Sequence, residues 1–348
     1  MDPMRVAVLG ATGAVGREML RTLEERRFPL DEVVPLASAR SAGVRLPFGS
    51  ETVEVRAVDQ GAFEDVDIAL FSAGAEASRA WAPGAVSAGA TVVDNSSAYR
   101  MEPDVPLVVP EINEEALAGH RGIVANPNCT AITALMAVAP LHRAAGLARL
   151  VVSSYQSVSG AGHRGVAELL EQVEKLRGAE EDLARPDPEA LPAGEVFGRT
   201  IAYNVLPRGG SFDPDGATTE ETKFVNETRK ILGLPQLEVA VTVVRVPVIA
   251  GHSVSIYAEL ERNLTPEAAR SALAVFPGVE VVDDPLTDRF PTPLEAAGRD
   301  EVLVGRIRQG PRPRSLQLFA AGDNLRKGAA LNAVQIAELL GRRHLKKG

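Results

Sequence analysis

Cys129 is the only cysteine in the 348-residue chain, and it stands in Ala125-Asn126-Pro127-Asn128-Cys129-Thr130, directly before an apolar run with helical spacing. A thiol at a helix start meets unpaired backbone N–H groups and the positive end of the helix dipole, both of which favour the thiolate. The chain opens on a second chemical signature, Gly10-Ala11-Thr12-Gly13-Ala14-Val15-Gly16. Glycines placed after an apolar strand and before a helix let backbone amides approach a pyrophosphate closely. The spacing departs from G-x-G-x-x-G, so a turn that only packs strand against helix stays open, as does a buried, inert role for the cysteine. Together the two features point to covalent thiol chemistry beside a dinucleotide.

The end of the second strand bears on which dinucleotide. An NAD site places an acid there to accept hydrogen bonds from the ribose hydroxyls, whereas Leu36-Ala37-Ser38-Ala39-Arg40-Ser41-Ala42-Gly43 contains none. Ser38, Arg40 and Ser41 instead suit a 2′-phosphate through charge-assisted hydrogen bonds. NADP is the expected cofactor; the plainer alternative is an arginine on a surface turn.

Positioning these residues requires an alternation of strands and helices. Strands are expected at 5–9, 33–37, 66–71, 91–94 and 122–125, with a helix over 13–26 whose apolar spacing runs through Val15, Met19, Leu20 and Leu23. Such alternation implies a parallel sheet covered by helices. Beyond Cys129 the pattern changes to a helix over 131–145, strands over 150–155, 238–246 and 253–261 rich in valine, isoleucine and tyrosine, and helices over 165–177 and 220–232. Residues 180–195 form a Pro-rich, acidic excursion read as a surface flap. A final amphipathic run, 325–340, is expected to return to the first domain, which gives 1–128 with 325–348 as one domain and 129–324 as the other. The fold class is α/β, a Rossmann-type parallel-sheet domain followed by an α+β domain.

Composition narrows the partners. With 37 Lys and Arg against 46 Asp and Glu, a net charge of -9 argues against general attraction to nucleic acid or anionic membrane. One cysteine forms no intramolecular disulfide, no apolar stretch is long enough to span a bilayer, and the start reads straight into a strand, so a cytoplasmic protein is expected. The closing basic cluster at 342–347 reads as a solvated tail, and no His/Cys spacing suggests a metal.

The chain resembles the aspartate-semialdehyde dehydrogenase family along essentially its whole length, through the two segments above and through Asp94-Asn95-Ser96-Ser97-Ala98-Tyr99-Arg100, Asn126-Pro127-Asn128-Cys129-Thr130, Tyr155-Gln156-Ser157-Val158-Ser159-Gly160-Ala161-Gly162, Glu220-Glu221-Thr222-Lys223, Arg245-Val246-Pro247, Gly251-His252-Ser253 and Gly322-Asp323-Asn324-Leu325-Arg326-Lys327-Gly328. The resemblance implies reversible conversion of aspartate 4-semialdehyde, inorganic phosphate and NADP to aspartyl 4-phosphate and NADPH, on the path to lysine, methionine and threonine. It implies Cys129 as nucleophile, His252 as acid/base with His163 ranked second, and Gln156 as an orienting amide. Arg245 would fork onto the substrate carboxylate and Glu220 would pair with its ammonium, while Arg100, Lys223 and Asn128 would hold phosphate. Gly10, Thr12, Gly13, Ala14, Val15, Gly16, Ser72, Gly74, Asn95, Ser159, Gly160, Gly162 and Asn324 would contact the cofactor. It also implies a homodimer, or a tetramer, through the second domain. Two other functions compete: an N-acetyl-glutamyl-phosphate reductase, whose acetylated substrate nitrogen has no use for Glu220, and a catalytically silent NADP-binding protein, which has no need of Cys129, Gln156, Arg245 and His252 together.

Overall fold

The computed structural model describes residues 2–344, and the basic tail runs beyond them. The first unit begins with β1 (Met4–Leu9), α1 (Ala14–Glu25) and β2 (Leu30–Ala37), followed by a short hairpin of β3 (Arg45–Phe48) and β4 (Glu51–Glu54) and by β5 (Arg56–Ala57). It continues through β6 (Ile68–Phe71), α2 (Ala75–Ser87), β7 (Thr91–Asp94), α3 (Pro110–Asn113) and β8 (Ile123–Ala125). The six strands lie in the order β5-β2-β1-β6-β7-β8, every pairing parallel. Apart from the edge strand β5, these strands are short, mostly apolar runs, as a sheet buried on both faces requires. The sequence reading did not anticipate β3, β4 or β5, whose exposed, charged residues carry no apolar pattern.

The second unit starts at α4 (Cys129–Ala145), continues with β9 (Leu147–Gln156), α5 (Gly162–Lys175), α6 (Thr219–Leu232), β10 (Glu238–Arg245) and β11 (His252–Leu260), and then adds α7 (Pro266–Ala274), β12 (Val279–Val281), α8 (Pro293–Ala296), β13 (Val302–Gln309) and β14 (Ser315–Gly322). Its mixed sheet runs β10-β9-β11-β14-β13-β12. Helix α4 is apolar all round, and its residues 131–141 are buried in one core with β9, β11, β13 and β14. Strands β12, β13 and β14 went unread; in β13, Gly305 and the charges at Arg306 and Arg308 interrupt the alternation. That glycine is needed, since a Cβ there would lie 2.0 Å from the carbonyl oxygen of Val282.

The C-terminal run divides into a π-helical turn, Arg326–Ala330, and α9 (Leu331–His344). Ala333, Val334, Ile336, Ala337 and Leu340 join the core of the first sheet with Val6, Val8 and Leu20. Arg326 fastens the turn by ion pairs to Glu18 and Glu25 of α1 and to Asp300 of the loop before β13. The acidic excursion is largely exposed, as expected of a flap, yet its far end is tied: Arg164 pairs with Glu195 at 2.9 Å, and the Glu168 carboxylate accepts the N–H groups of Val196 and Phe197.

Candidate active site

Cys129 is the first helical residue of α4 because Asn128 caps the helix. The Asn128 Oδ1 accepts from the backbone N–H of Thr130 at 2.9 Å and of Ala131 at 3.4 Å. Gly328 in the π-helical turn lies against the cysteine: a Cβ at 328 would stand 2.9 Å from the Cys129 Cβ. The turn can approach so closely only without a side chain, and π-helical irregularities often mark functional sites.

The electrostatics differ from the expectation for a thiol at a helix start. Burial and the Glu220 carboxylate push the Cys129 thiol up to about 11, against the opposing pull of Arg245 and Arg100. Desolvation therefore outweighs the cations, and the thiol is neutral at pH 7. His252, the first residue of β11, is only 1% exposed. Burial and then Arg245 hold its imidazole well below the ordinary histidine range, so it too is neutral. Its Nδ1 accepts the backbone N–H of Ser157 at 3.1 Å, which leaves the proton on Nε2. The Nε2 edge faces Gly160, where a Cβ would lie 3.3 Å from Nε2 and 3.0 Å from Arg245 Nη1. Gly160 thus keeps open a space between imidazole and guanidinium.

Gln156 ends β9 and donates from Nε2 to Thr130 Oγ1 at 2.6 Å, which ties the amide to the residue after the nucleophile. Arg245 ends β10, anchored through Nη1 to the Ser157 carbonyl at 2.6 Å, with its guanidinium carbon 5.8 Å from the centre of the Phe197 ring. Desolvation shifts Arg245 downward, but guanidinium stays charged. Glu220 lies in the first turn of α6; one oxygen accepts from Asn128 Nδ2 at 2.9 Å and the other pairs with Lys223 at 3.2 Å. Arg100 is buried and its three nitrogens donate to Asn126 O, Glu227 and Asn95 O. The second hydrogen on each of its terminal nitrogens remains unspent.

Cys129, Gln156, Arg245, His252, Glu220, Asn128 and Arg100 border one cavity of ≈ 350 Å³ together with Gly13, Ala14, Val15, Ser72, Asn95, Ser159, Gly160, Gly162 and Asn324. Thiol chemistry and the glycine-rich loop therefore meet across a single space. Gly10, Thr12, Gly16, Gly74, Ser38, Arg40, Ser41 and Lys223 lie outside its lining. The loop glycines act underneath it: a Cβ at Gly16 would lie 2.1 Å from Gly10 O, and one at Gly10 would lie 2.9 Å from the Ser72 carbonyl carbon. Thr12 has its carbonyl taken by Arg17, and Gly74, at φ 90°, caps α2. Ser38, Arg40 and Ser41 sit in a 3-10 turn just past β2, with Arg40 exposed. The segments after β1, β2, β6 and β7 all stand at the carboxyl edge of the parallel sheet, where open α/β sheets bind ligands.

His163 is exposed on α5 and outside the cavity lining. Several participants escaped the sequence reading. Glu227 is 1% exposed; it pairs with Arg100 at 3.0 Å and accepts the Asn128 N–H at 2.6 Å. Its spacing from Glu220 and Lys223 put it on the same face of α6, a signal that was available. Ser157 and Gly328 lie inside the 155–162 and 322–328 motifs, where the resemblance assigned them no role. The Asn324 amide, expected at the cofactor, accepts from Ser157 Oγ at 3.0 Å and the Gly251 N–H at 3.0 Å, and donates to Ser159 Oγ at 3.0 Å.

Comparison with known proteins agrees with this geometry. Residues 5–120 match the family model for the semialdehyde dehydrogenase NAD binding domain, and residues 138–327 match that for the semialdehyde dehydrogenase dimerisation domain. The aspartate-semialdehyde dehydrogenase of Bacillus subtilis is 46% identical over 345 residues, 98% of this chain and 99% of that protein. That of Corynebacterium glutamicum is 50% identical over 348 residues, covering 96% of this chain and 98% of that one. The crystal structure of aspartate semialdehyde dehydrogenase II from Vibrio cholerae, complexed with ASA, superposes with a TM-score of 0.91 at 44% identity, across 98% of this chain and 99% of that one.

Proposed function

Since this chain belongs to the semialdehyde dehydrogenase family, a family of oxidoreductases, we propose that it interconverts L-aspartate 4-semialdehyde and L-aspartyl 4-phosphate, with NADP and inorganic phosphate, through a thioester on Cys129. The observation that carries this reading is the meeting of Cys129, His252, Arg245 and Glu220 with the glycine-rich loop around one cavity. The pairing of a cation and an anion there fits a zwitterionic amino acid better than an N-acetylated one, because an amide nitrogen gains nothing from Glu220.

Residues 13–15, Ser72, Asn95 and the 159–162 loop would hold the cofactor, and the shelf that a Cβ at Gly160 would fill leaves room for a planar ring. The cofactor supplies the hydride acceptor in the oxidative direction and the donor in the reverse. Arg40, beside Ser38 and Ser41 and with no acid at the end of β2, supports NADP over NAD.

In the oxidative direction Cys129 Sγ bonds to the aldehyde carbon and the thiol proton ends on the carbonyl oxygen, giving a thiohemiacetal. His252 Nε2, on the open side of the ring, is the group able to donate to that oxygen. As hydride leaves, the hydroxyl proton passes to His252 and the thioester remains. Phosphate oxygen then bonds to the acyl carbon, the C–S bond breaks, and Cys129 recovers that proton from His252. Arg245 would grip the substrate carboxylate and Glu220 its ammonium, an approach that replaces part of Glu220's bonding to Lys223. Arg100, with its unspent hydrogens, and Lys223 would face phosphate.

The same reading divides the chain at 1–128 with 325–348 and 129–324, supported by the burial of α9 in the first core. It also carries a cytoplasmic location, where thiols stay reduced. A homodimer is supported by the second sheet's outer face, where Val151 and Tyr155 are 38% and 39% exposed and Tyr155 stands 6.0 Å from the Phe319 ring. Tyr155→Glu should give a monomer by light scattering; an unchanged mass would remove that face from the interface. The activity itself is tested by NADP reduction with aspartate semialdehyde. Turnover should require phosphate and be lost with N-acetyl-glutamate semialdehyde; phosphate-independent turnover would reject the proposal.

A further inference from the structure

Resting on the reaction proposed above, we propose that Ser157 is a positioning residue that serves His252 Nδ1 in both of its proton states, with Asn324 setting the direction of the serine hydroxyl. Ser157 follows Gln156 at the end of β9 and is 0% exposed; His252 and Asn324 are 1% and 2% exposed. Nδ1 therefore draws its partners from protein. Two are present, both from one residue: the Ser157 backbone N–H and the Ser157 hydroxyl oxygen, each 3.1 Å away.

The two partners have opposite polarity. An N–H only donates, so it satisfies an unprotonated Nδ1 and goes with a proton on Nε2. The hydroxyl could do either, and it has two further neighbours: Ser159 Oγ at 3.1 Å, which can donate or accept, and Asn324 Oδ1 at 3.0 Å, which only accepts and so draws the hydroxyl hydrogen. Asn324 is held in turn by the Gly251 N–H at 3.0 Å and by its donation to Ser159 Oγ at 3.0 Å. The Ser157 oxygen is thereby left to accept from a protonated Nδ1. When Nδ1 carries the proton, Nε2 presents a lone pair to the cavity.

The reaction needs the second form. The proton of the neutral thiol must leave as Sγ bonds to the aldehyde carbon, reach the carbonyl oxygen and come off again as hydride leaves; an imidazole protonated on Nε2 cannot accept it, whereas one protonated on Nδ1 takes it on Nε2 and hands it on. A buried histidine with one fixed partner would be confined to one tautomer, since the other would strand an N–H without an acceptor. The serine is also poorly explained as cavity lining, because its hydroxyl is spent on Asn324, Ser159 and His252.

Ser157→Ala keeps the backbone N–H and removes the acceptor, so it should leave His252 with its proton on Nε2. In the phosphate-dependent assay kcat should fall at least tenfold, while KM for semialdehyde, NADP and phosphate each stays within about threefold. A kcat within twofold of the parent enzyme would overturn the proposal, as would a loss accompanied by an equal rise in every KM, which marks a collapsed pocket. Nitrogen-15 spectra of the histidine-labelled resting enzyme test the same idea without turnover. The parent enzyme should show a fraction of His252 protonated on Nδ1 that the variant lacks; identical spectra would contradict it. If the parent enzyme shows no phosphate-dependent turnover, the reaction is wrong and the spectra still decide the role of Ser157.

Discussion

At the scale of single residues, the cysteine and histidine are both neutral, which sets this pair apart from sites that store a thiolate–imidazolium ion pair. The thiol is raised to about 11 by burial and Glu220, while the imidazole is lowered by burial and Arg245. Thiolate is the reactive form, so alkylation of the resting enzyme by iodoacetamide should speed up about tenfold per pH unit from pH 7 towards 10. A rate that levels off below pH 8 would show a stored thiolate instead. The linkage has a matching sign. The folded thiol holds its proton to higher pH than the unfolded one, so Cys129 withdraws stability as pH rises from about 8.5 towards the folded value. Substrate ammonium on Glu220 would remove the largest charge opposing the thiolate, so semialdehyde should shift the alkylation profile to lower pH. The sequence made Cys129 and His252 visible through their settings but not their charge states, which depend on burial and on a carboxylate ninety-one positions away.

At the scale of elements, α4, α6 and the π-helical turn each bring more than one function to the cavity. Helix α6 presents Glu220 and Lys223 near its start and the buried Glu227 two turns along, so the same helix also sets Arg100 and the cap of α4. The π-helical turn brings Gly328 against Cys129 and, one residue earlier, buries Lys327 among Glu111, Asn332 and Gln335. A methyl group at 328 has to displace the cysteine or the turn. Gly328→Ala should cost about 1–3 kcal/mol of stability, as overpacking does, and lower kcat at least tenfold with NADP affinity nearly unchanged. Thermal unfolding and a cofactor titration measure both, and full activity in a destabilised variant would show that the turn, not the cysteine, gives way. The start of α6 was legible because its capping threonine and acidic first turn are local, whereas α4 and α5 begin two and three residues before their expected starts. The interrupted strand β13 and the π-helical turn were not legible, because their geometry is imposed by Val282, Cys129 and α1 from elsewhere in the chain.

At the scale of the whole molecule, two sheets with separate cores are joined by α4 and by the return of α9, and the cavity opens where they meet. That the first sheet is parallel followed from its alternating pattern; its strand order and the place of the cavity at its carboxyl edge came from the structure. No local pattern could show that the second sheet leaves Tyr155 and Phe319 on an open face, because that depends on the register of β9, β11 and β14. The clamp of Arg326 on Glu18, Glu25 and Asp300 was likewise hidden, since its partners are more than twenty residues away.

The claim on which the rest depends is the covalent thioester at Cys129, and pre-steady-state NADPH formation tests it most directly. Enzyme mixed with NADP and aspartate semialdehyde in the absence of phosphate should form NADPH in a burst that stops at no more than one equivalent per cavity, with the acyl group on Cys129. Added phosphate should then release steady turnover, and Cys129→Ser should show neither phase while still binding NADP. A burst of equal size in Cys129→Ser, or steady NADPH formation that begins without any acylated intermediate, would contradict the account.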